Sequence, residues 1–168
     1  MQEVDAICMV MPQHMDFSGR LNESIHAACG NNLDDFILEH VYKPQVGEVY
    51  ALPAFGLPAR HILLGILPHF RTEFDMNEAY LSNVTRKMME LARCMLLTSV
   101  AFPAIASGRK GYPKPKASRL VCQGITDRLQ ESFEEVRIVC EDEKNYEIFD
   151  RKLKLLGWEG WTYIPPSE

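Results

Sequence analysis

The sequence has no apolar run approaching the ~20 residues that span a bilayer, and its start carries Glu3 and Asp5 where a secretory leader would be basic. From this we expect a soluble, cytoplasmic protein with no membrane association. A basic excess is missing too: 18 Lys and Arg against 23 Asp and Glu leave a formal charge of −5. That balance argues against general affinity for nucleic acid or an anionic surface, since both need a positive footprint. Any anionic ligand must find a local cationic site. There is no CxxC, and no Cys/His pair has metal-ligand spacing, so no metal or cofactor is expected. The cysteines at 8, 29, 94, 122 and 140 are odd in number, widely spaced and set mostly among apolar neighbours. They read as reduced thiols of the core.

What is present is apolar residue in quantity, 46% of 168 positions, enough for one domain with one well-buried core. Short apolar runs alternate with stretches of helical period, the pattern of an α/β layered domain. Strands are expected at 4–11, 48–54, 61–67, 99–105 and 136–140. A first helix over 19–29 should close on Gly30, and a second over 33–41 should start from Asn32 as N-cap. Asp75 can cap a long helix whose Tyr80, Val84, Met88, Leu91 and Met95 form one buried stripe. A further helix follows Pro113 with Ala117, Leu120, Val121, Ile125 and Leu129 facing the sheet. The last helix carries Tyr146, Phe149, Leu153 and Leu156 on one face. Residues 1–157 thus form the domain, and 158–168 an irregular tail in which Trp158 and Trp161 can pin back against the body.

The chemistry concentrates after the strand at 99–105, where Ser107-Gly108-Arg109-Lys110-Gly111-Tyr112-Pro113 leads into a helix. Two glycines three residues apart let the backbone take positive φ and bring successive N–H groups together as an anion-binding nest. The helix N-terminus adds partial positive charge, Ser107 a hydroxyl, Arg109 and Lys110 full charges, and Tyr112 a flat face or a phenol. Alone, the same residues also read as a tight turn with Arg109 and Lys110 in solvent.

The wider chain breaks that tie. Ala101-Phe102-Pro103-Ala104-Ile105-Ala106-Ser107-Gly108 with Gly111-Tyr112-Pro113 resembles the macro domain signature AFPAISTG-x-x-GYP. Val4-Asp5-Ala6-Ile7 is similar to the family's VDAIVNAAN strand, and Gly19-Arg20-Leu21 through Ile25-His26-Ala27-Ala28-Cys29-Gly30 to its glycine-rich turn and following helix. Leu57-Pro58-Ala59-Arg60-His61-Ile62 resembles LPAKHVI, and Ile138-Val139-Cys140 with Tyr146 through Phe149 the last strand and helix. The resemblance implies a three-layer α/β/α sandwich with a central mixed sheet, possessing a cleft at the strand ends for ADP-ribose or a related nucleotide. It makes Ser107, Gly108, Arg109, Lys110, Gly111 and Tyr112 the second diphosphate loop, and puts Gly19, Arg20 and Leu21 on the opposite wall. ADP-ribosylated protein is a further partner that it implies.

The chain also departs from the family. The NAAN asparagines fall on Met9 and Pro12, neither of which can hydrogen-bond a ribose as an amide does. The following glycine run reads Phe17-Ser18-Gly19-Arg20, with one glycine left. Few residues precede Val4, whereas the family carries a first strand and a GDIT turn there. Three functions stay open on these residues: a nucleotide-binding macro domain, a macro-fold interaction scaffold without ligand, and an ADP-ribosyl hydrolase or O-acetyl-ADP-ribose deacetylase with a rearranged site. For the last, Asp16 is the candidate base, with His14 beside it. His26 and His61 read as structural. Cys8 and Cys29 can flank the cleft but have no basic partner to activate them. Nucleic acid would have only Arg109-Lys110, Lys114, Lys116 and Arg119 to bind.

Overall fold

The computed structural model describes residues 3–15, 19–68, 78–103, 105 and 112–158. In chain order these form β1 (Val4–Pro12), α1 (Arg20–Cys29), α2 (Asn31–His40), β2 (Val49–Pro53), β3 (Ala59–Leu67), α3 (Glu78–Cys94), β4 (Ser99–Phe102), α4 (Lys114–Arg128), β5 (Glu135–Ile138) and α5 (Glu143–Leu155). The strands make one mixed sheet in the order β2-β3-β1-β4-β5. Four run parallel, and β2 turns back along β3 as an antiparallel edge.

Parallel strands are covered on both faces, which is why β1 and β3 are apolar almost throughout rather than alternating. Side-chain alternation then splits them between two cores. Ala6, Cys8, Val10, Leu63, Val100 and Phe102 face α3 and α4. Ile7, Met9, Met11, Ile62, Leu64 and Ile66 face α1 and α2. On the first face the layers touch closely: a Cβ added to Gly65 would lie 2.3 Å from Val84 Cγ1, and one on Gly124 would lie 2.6 Å from Thr85 Cβ. Glycine there lets α3 sit on β3 and α4 lie against α3.

The expected elements all appear in order, with several local corrections. The buried stripe of α3 runs through Leu81, Val84, Thr85, Met88, Met89 and Ala92, while Tyr80 is 37% exposed. The stripe is turned by one residue because Thr85 can be buried, its hydroxyl donating to the Leu81 carbonyl at 2.8 Å. Gly30, not Asn32, opens α2; it closes α1 at φ 66 and donates to the His26 carbonyl. β4 stops at Phe102 rather than 105, since Pro103 has no N–H for the ladder. β5 is shifted to 135–138. On α5 only Phe149 of the expected face is buried, beside Asn145, and Leu156 is exposed. All five cysteines are free, but Cys94 is exposed, so only Cys8, Cys29 and Cys122 are fully core thiols. Trp158 is tied back, its indole N–H donating to Thr126 Oγ1 at 3.2 Å; Trp161 lies outside the described residues, as does Asp75.

The C-terminus of α3 holds a leucine where glycine is favoured. Leu97 N–H bonds to the Ala92 carbonyl and Leu96 N–H to that of Arg93, a Schellman arrangement that puts Leu96 at φ 59. Leu96 is also 86% exposed, so its side chain returns little by burial. Leu96→Gly is expected to stabilise the fold by about 1 kcal/mol through relief of the left-handed conformation. Urea midpoints of the two proteins at one pH measure it.

Candidate functional site

The four parallel strands end on one side of the sheet, and from that side the chain passes into α1, α3, α4 and α5. Four helix N-termini therefore gather at the carboxyl ends of β1, β3, β4 and β5, where open α/β sheets place their ligand crevices. The termini differ in charge. Glu23, Glu78 and Glu143 stand in the first turns of α1, α3 and α5, complementing the helix dipole in the ordinary way. α4 has no acid in its first turn, no side-chain cap, and Lys114 and Lys116 instead. Its field is uncompensated from within, and it follows directly on residues 107–113.

Of the predicted site residues, Ser107, Gly108, Arg109, Lys110, Gly111 and Asp16 lie outside the described residues. The others are placed as follows. Gly19 precedes α1 at φ 102 and ψ 143, a conformation that L side chains rarely adopt, although a Cβ there would meet nothing within 4 Å. Arg20 is exposed on the first turn of α1. Leu21 packs against both core clusters and so wedges α1 onto the sheet. Tyr112 is 1% exposed, and its phenol oxygen accepts the Leu81 backbone amide in the first turn of α3. It presents no face to a ligand; it anchors the end of the loop.

Met9, at the first asparagine position, is fully buried against the α1 and α2 core, and Pro12 ends β1 opposite Leu67. Alternation sends Met9 inward with Ile7 and Met11, so no polar group replaces the lost amide. Asn22 does work that its sequence did not announce: its Nδ2 donates to the Val10 carbonyl at 2.9 Å and ties α1 to the end of β1. An amide directly after Gly-Arg-Leu was the available signal.

The remaining candidates lead away from catalysis. His26 Nε2 lies 2.7 Å from Asp34 Oδ2 and joins α1 to α2. Cys8 is enclosed in the sheet core, and Cys29 is at the far end of α1 with its thiol on the Ala54 carbonyl at 3.4 Å. Neither flanks the strand ends, and burial raises the pKa of both, so neither is a nucleophile. Asp5 sits at the opposite end of the sheet. Its carboxylate accepts the Thr98 and Ser99 amides at 2.8 and 3.2 Å, which lower its pKa against the opposing effect of burial. Glu78 takes Arg119 at 2.9 Å and Lys116 at 3.5 Å, so two cations of the basic cluster are already engaged. That removes much of the footprint nucleic acid would need. Among the described residues no group of three or more His, Cys, Asp or Glu could hold a metal, and no helix is long and apolar enough to cross a membrane.

Burial also fixes two titrations near α4. The Tyr112 phenol and the Cys122 thiol are each pushed up to about 12, from ordinary values of 10.0 and 9.0, chiefly by desolvation. Both folded pKa values are raised, so their contribution is complete below pH 9 and is lost as pH climbs toward 12. These two groups alone are expected to lower the unfolding free energy by about 3 kcal/mol between neutral pH and about pH 10.5, and the raised thiols of Cys8 and Cys29 add to the loss. Urea titrations at the two pH values check this, and Cys122→Ala should lose about 2 kcal/mol less than the parent over the same range.

The family follows from the comparisons with known proteins. A family model for the macro domain matches residues 11–121, and the chain belongs to that family. It is 27% identical over 157 residues to a macro domain-containing protein of Listeria monocytogenes, with 89% of each chain covered. It is 29% identical over 162 residues to an O-acetyl-ADP-ribose deacetylase of Shigella dysenteriae, covering 93% of this chain and 91% of the other. The Oceanobacillus iheyensis macrodomain with ADP superposes with a TM-score of 0.79 at 29% identity, over 92% of this chain and 86% of that one. A Trypanosoma brucei macrodomain solved with ADP-ribose shares the fold, with a TM-score of 0.75 at 21% identity over 89% of this chain and 63% of its own.

Proposed function

We propose that this macro domain binds ADP-ribose, or a closely related nucleotide diphosphate, with its phosphates in the loop 107–113 over the N-terminus of α4. The observation that carries the reading is the charge of that terminus. It alone of the four at the strand ends lacks a first-turn acid, and it has lysines in their place. A diphosphate would add to the one carboxylate that reaches this terminus from outside the helix, Glu78 on Lys116. The backbone of residues 107–111 would cradle it, with Arg109 and Lys110 adding charge-assisted contacts. Tyr112 holds the loop from below, and Gly19 and Arg20 form the facing wall.

Binding is favoured over chemistry because the end of β1 offers a buried methionine and a proline where an amide would orient water or ribose. The deacetylase activity in the names of relatives such as the Shigella dysenteriae protein is therefore not transferred. Asp16 is the one carboxylate we assign to that connection as a candidate base. The five free thiols accord with a reducing, intracellular setting.

Calorimetric titration with ADP-ribose tests the reading. Saturable heat in the micromolar range is expected, and its absence at millimolar ligand would overturn the proposal. Release of ADP-ribose from a modified protein, lost in Asp16→Ala, would overturn the preference for binding alone.

A further inference from the structure

We infer that Glu78 and Arg119 set the affinity of the α4 terminus for its anion without touching the nucleotide: when a diphosphate arrives, Lys116 passes from Glu78 to phosphate, and Arg119 stays to neutralise the carboxylate. The inference rests on the nucleotide reading above. Glu78 opens α3, and in that same first turn the Leu81 amide donates to the buried phenol of Tyr112, just before α4. The Glu78 carboxylate thus stands beside the N-terminus of α4 and draws two cations from it. Arg119 Nη2 lies 2.9 Å and Lys116 Nζ 3.5 Å from the same oxygen, Oε1.

The two cations are not equivalent. Lys116 is the third residue of α4 and Arg119 the sixth, so Arg119 sits about 4.5 Å farther from the terminus along the helix axis. At three-residue spacing they share one face. Arg119 makes the shorter contact through a planar guanidinium, whereas lysine carries a compact charge on a flexible four-carbon stem that can swing between oxygens. Lys116 is therefore the cation that yields. All three side chains reach solvent, so the exchange disturbs no packing. The Arg119 hydrogen bond also lowers the Glu78 pKa, which keeps the carboxylate charged at neutral pH. Without Arg119 that charge would hold Lys116 more firmly and repel an incoming diphosphate.

Calorimetric titration of this chain and its variants with ADP-ribose is the measurement, with a thermal melt of each to show that it is folded. Glu78→Gln should bind about fivefold more tightly than the parent, because Lys116 is released at the outset, and Arg119→Gln about threefold more weakly. In a Glu78→Gln background the Arg119→Gln loss should vanish, which direct contact of Arg119 with phosphate would not produce. In a Lys116→Gln background the gain from Glu78→Gln should fall below about twofold. If the parent binds and Glu78→Gln binds no better, the inference is overturned while the nucleotide reading stands. An Arg119→Gln loss that persists without Glu78, or a full gain without Lys116, overturns it equally. Heat from neither the parent nor Glu78→Gln would sink the reading and the inference together, whereas heat from Glu78→Gln alone would uphold the inference and sink the reading for the parent chain.

Discussion

Gly108→Glu is expected to weaken ADP-ribose binding by at least about 100-fold while leaving thermal unfolding almost unchanged. On the proposed binding mode, the added carboxylate would stand in the place of the diphosphate at the α4 terminus. It would compete as a tethered anion, and repel the ligand when it did not. Its Cβ would also deny the backbone close approach. The fold should tolerate it, because the loop is fixed at its ends: Phe102 closes β4 in the core, and Tyr112 is buried with its phenol on Leu81 N–H. Gly108→Ala separates the two effects, since it adds the steric component without the charge. Calorimetry with each variant, together with a thermal melt, measures both.

Gly65→Val should cost at least about 3 kcal/mol and, in a domain of ordinary stability, leave much of the chain unfolded. The Cβ alone would stand 2.3 Å from Val84 Cγ1 and 2.8 Å from Met88 Cε. Met88 can swing its terminal methyl, but Val84 is β-branched, fully buried and stiff at χ1. β3 cannot retreat, because β1 and β2 hold it from both sides through Gly65 itself, paired with Val10 and Val49. Relief would have to come from lifting α3 off the sheet, which opens the contact that α4 makes at Gly124. Far-ultraviolet dichroism in urea reports the loss, and a midpoint within error of the parent would show that the layers are looser than these distances state.

The two predictions rest on glycines that differed greatly in legibility. Gly108 stands in a run of Ser, Gly, Arg and Lys whose residue types suit either an anion-binding loop or a tight turn, and the surrounding resemblance favours the first. Gly65 sits in an apolar strand and is silent until α3 is placed above it. The same division holds across the site. Met9 could be assigned to the core from strand alternation alone, and the loss of ligand amides at Met9 and Pro12 is a property of the residues themselves. Tyr112 and Leu21 were misjudged by their neighbours: each lies within a motif that reads as ligand contact, yet each side chain turns into the core.

The chain by itself determined the class of fold and the order of its elements, because hydrophobic period and glycine act locally. Tertiary structure decided which polar groups remain available. Lys116 and Arg119 are taken by Glu78, which belongs to another helix, and the Tyr112 phenol by an amide of that same helix. It also decided the strand order β2-β3-β1-β4-β5, since that order depends on pairings between residues far apart in sequence.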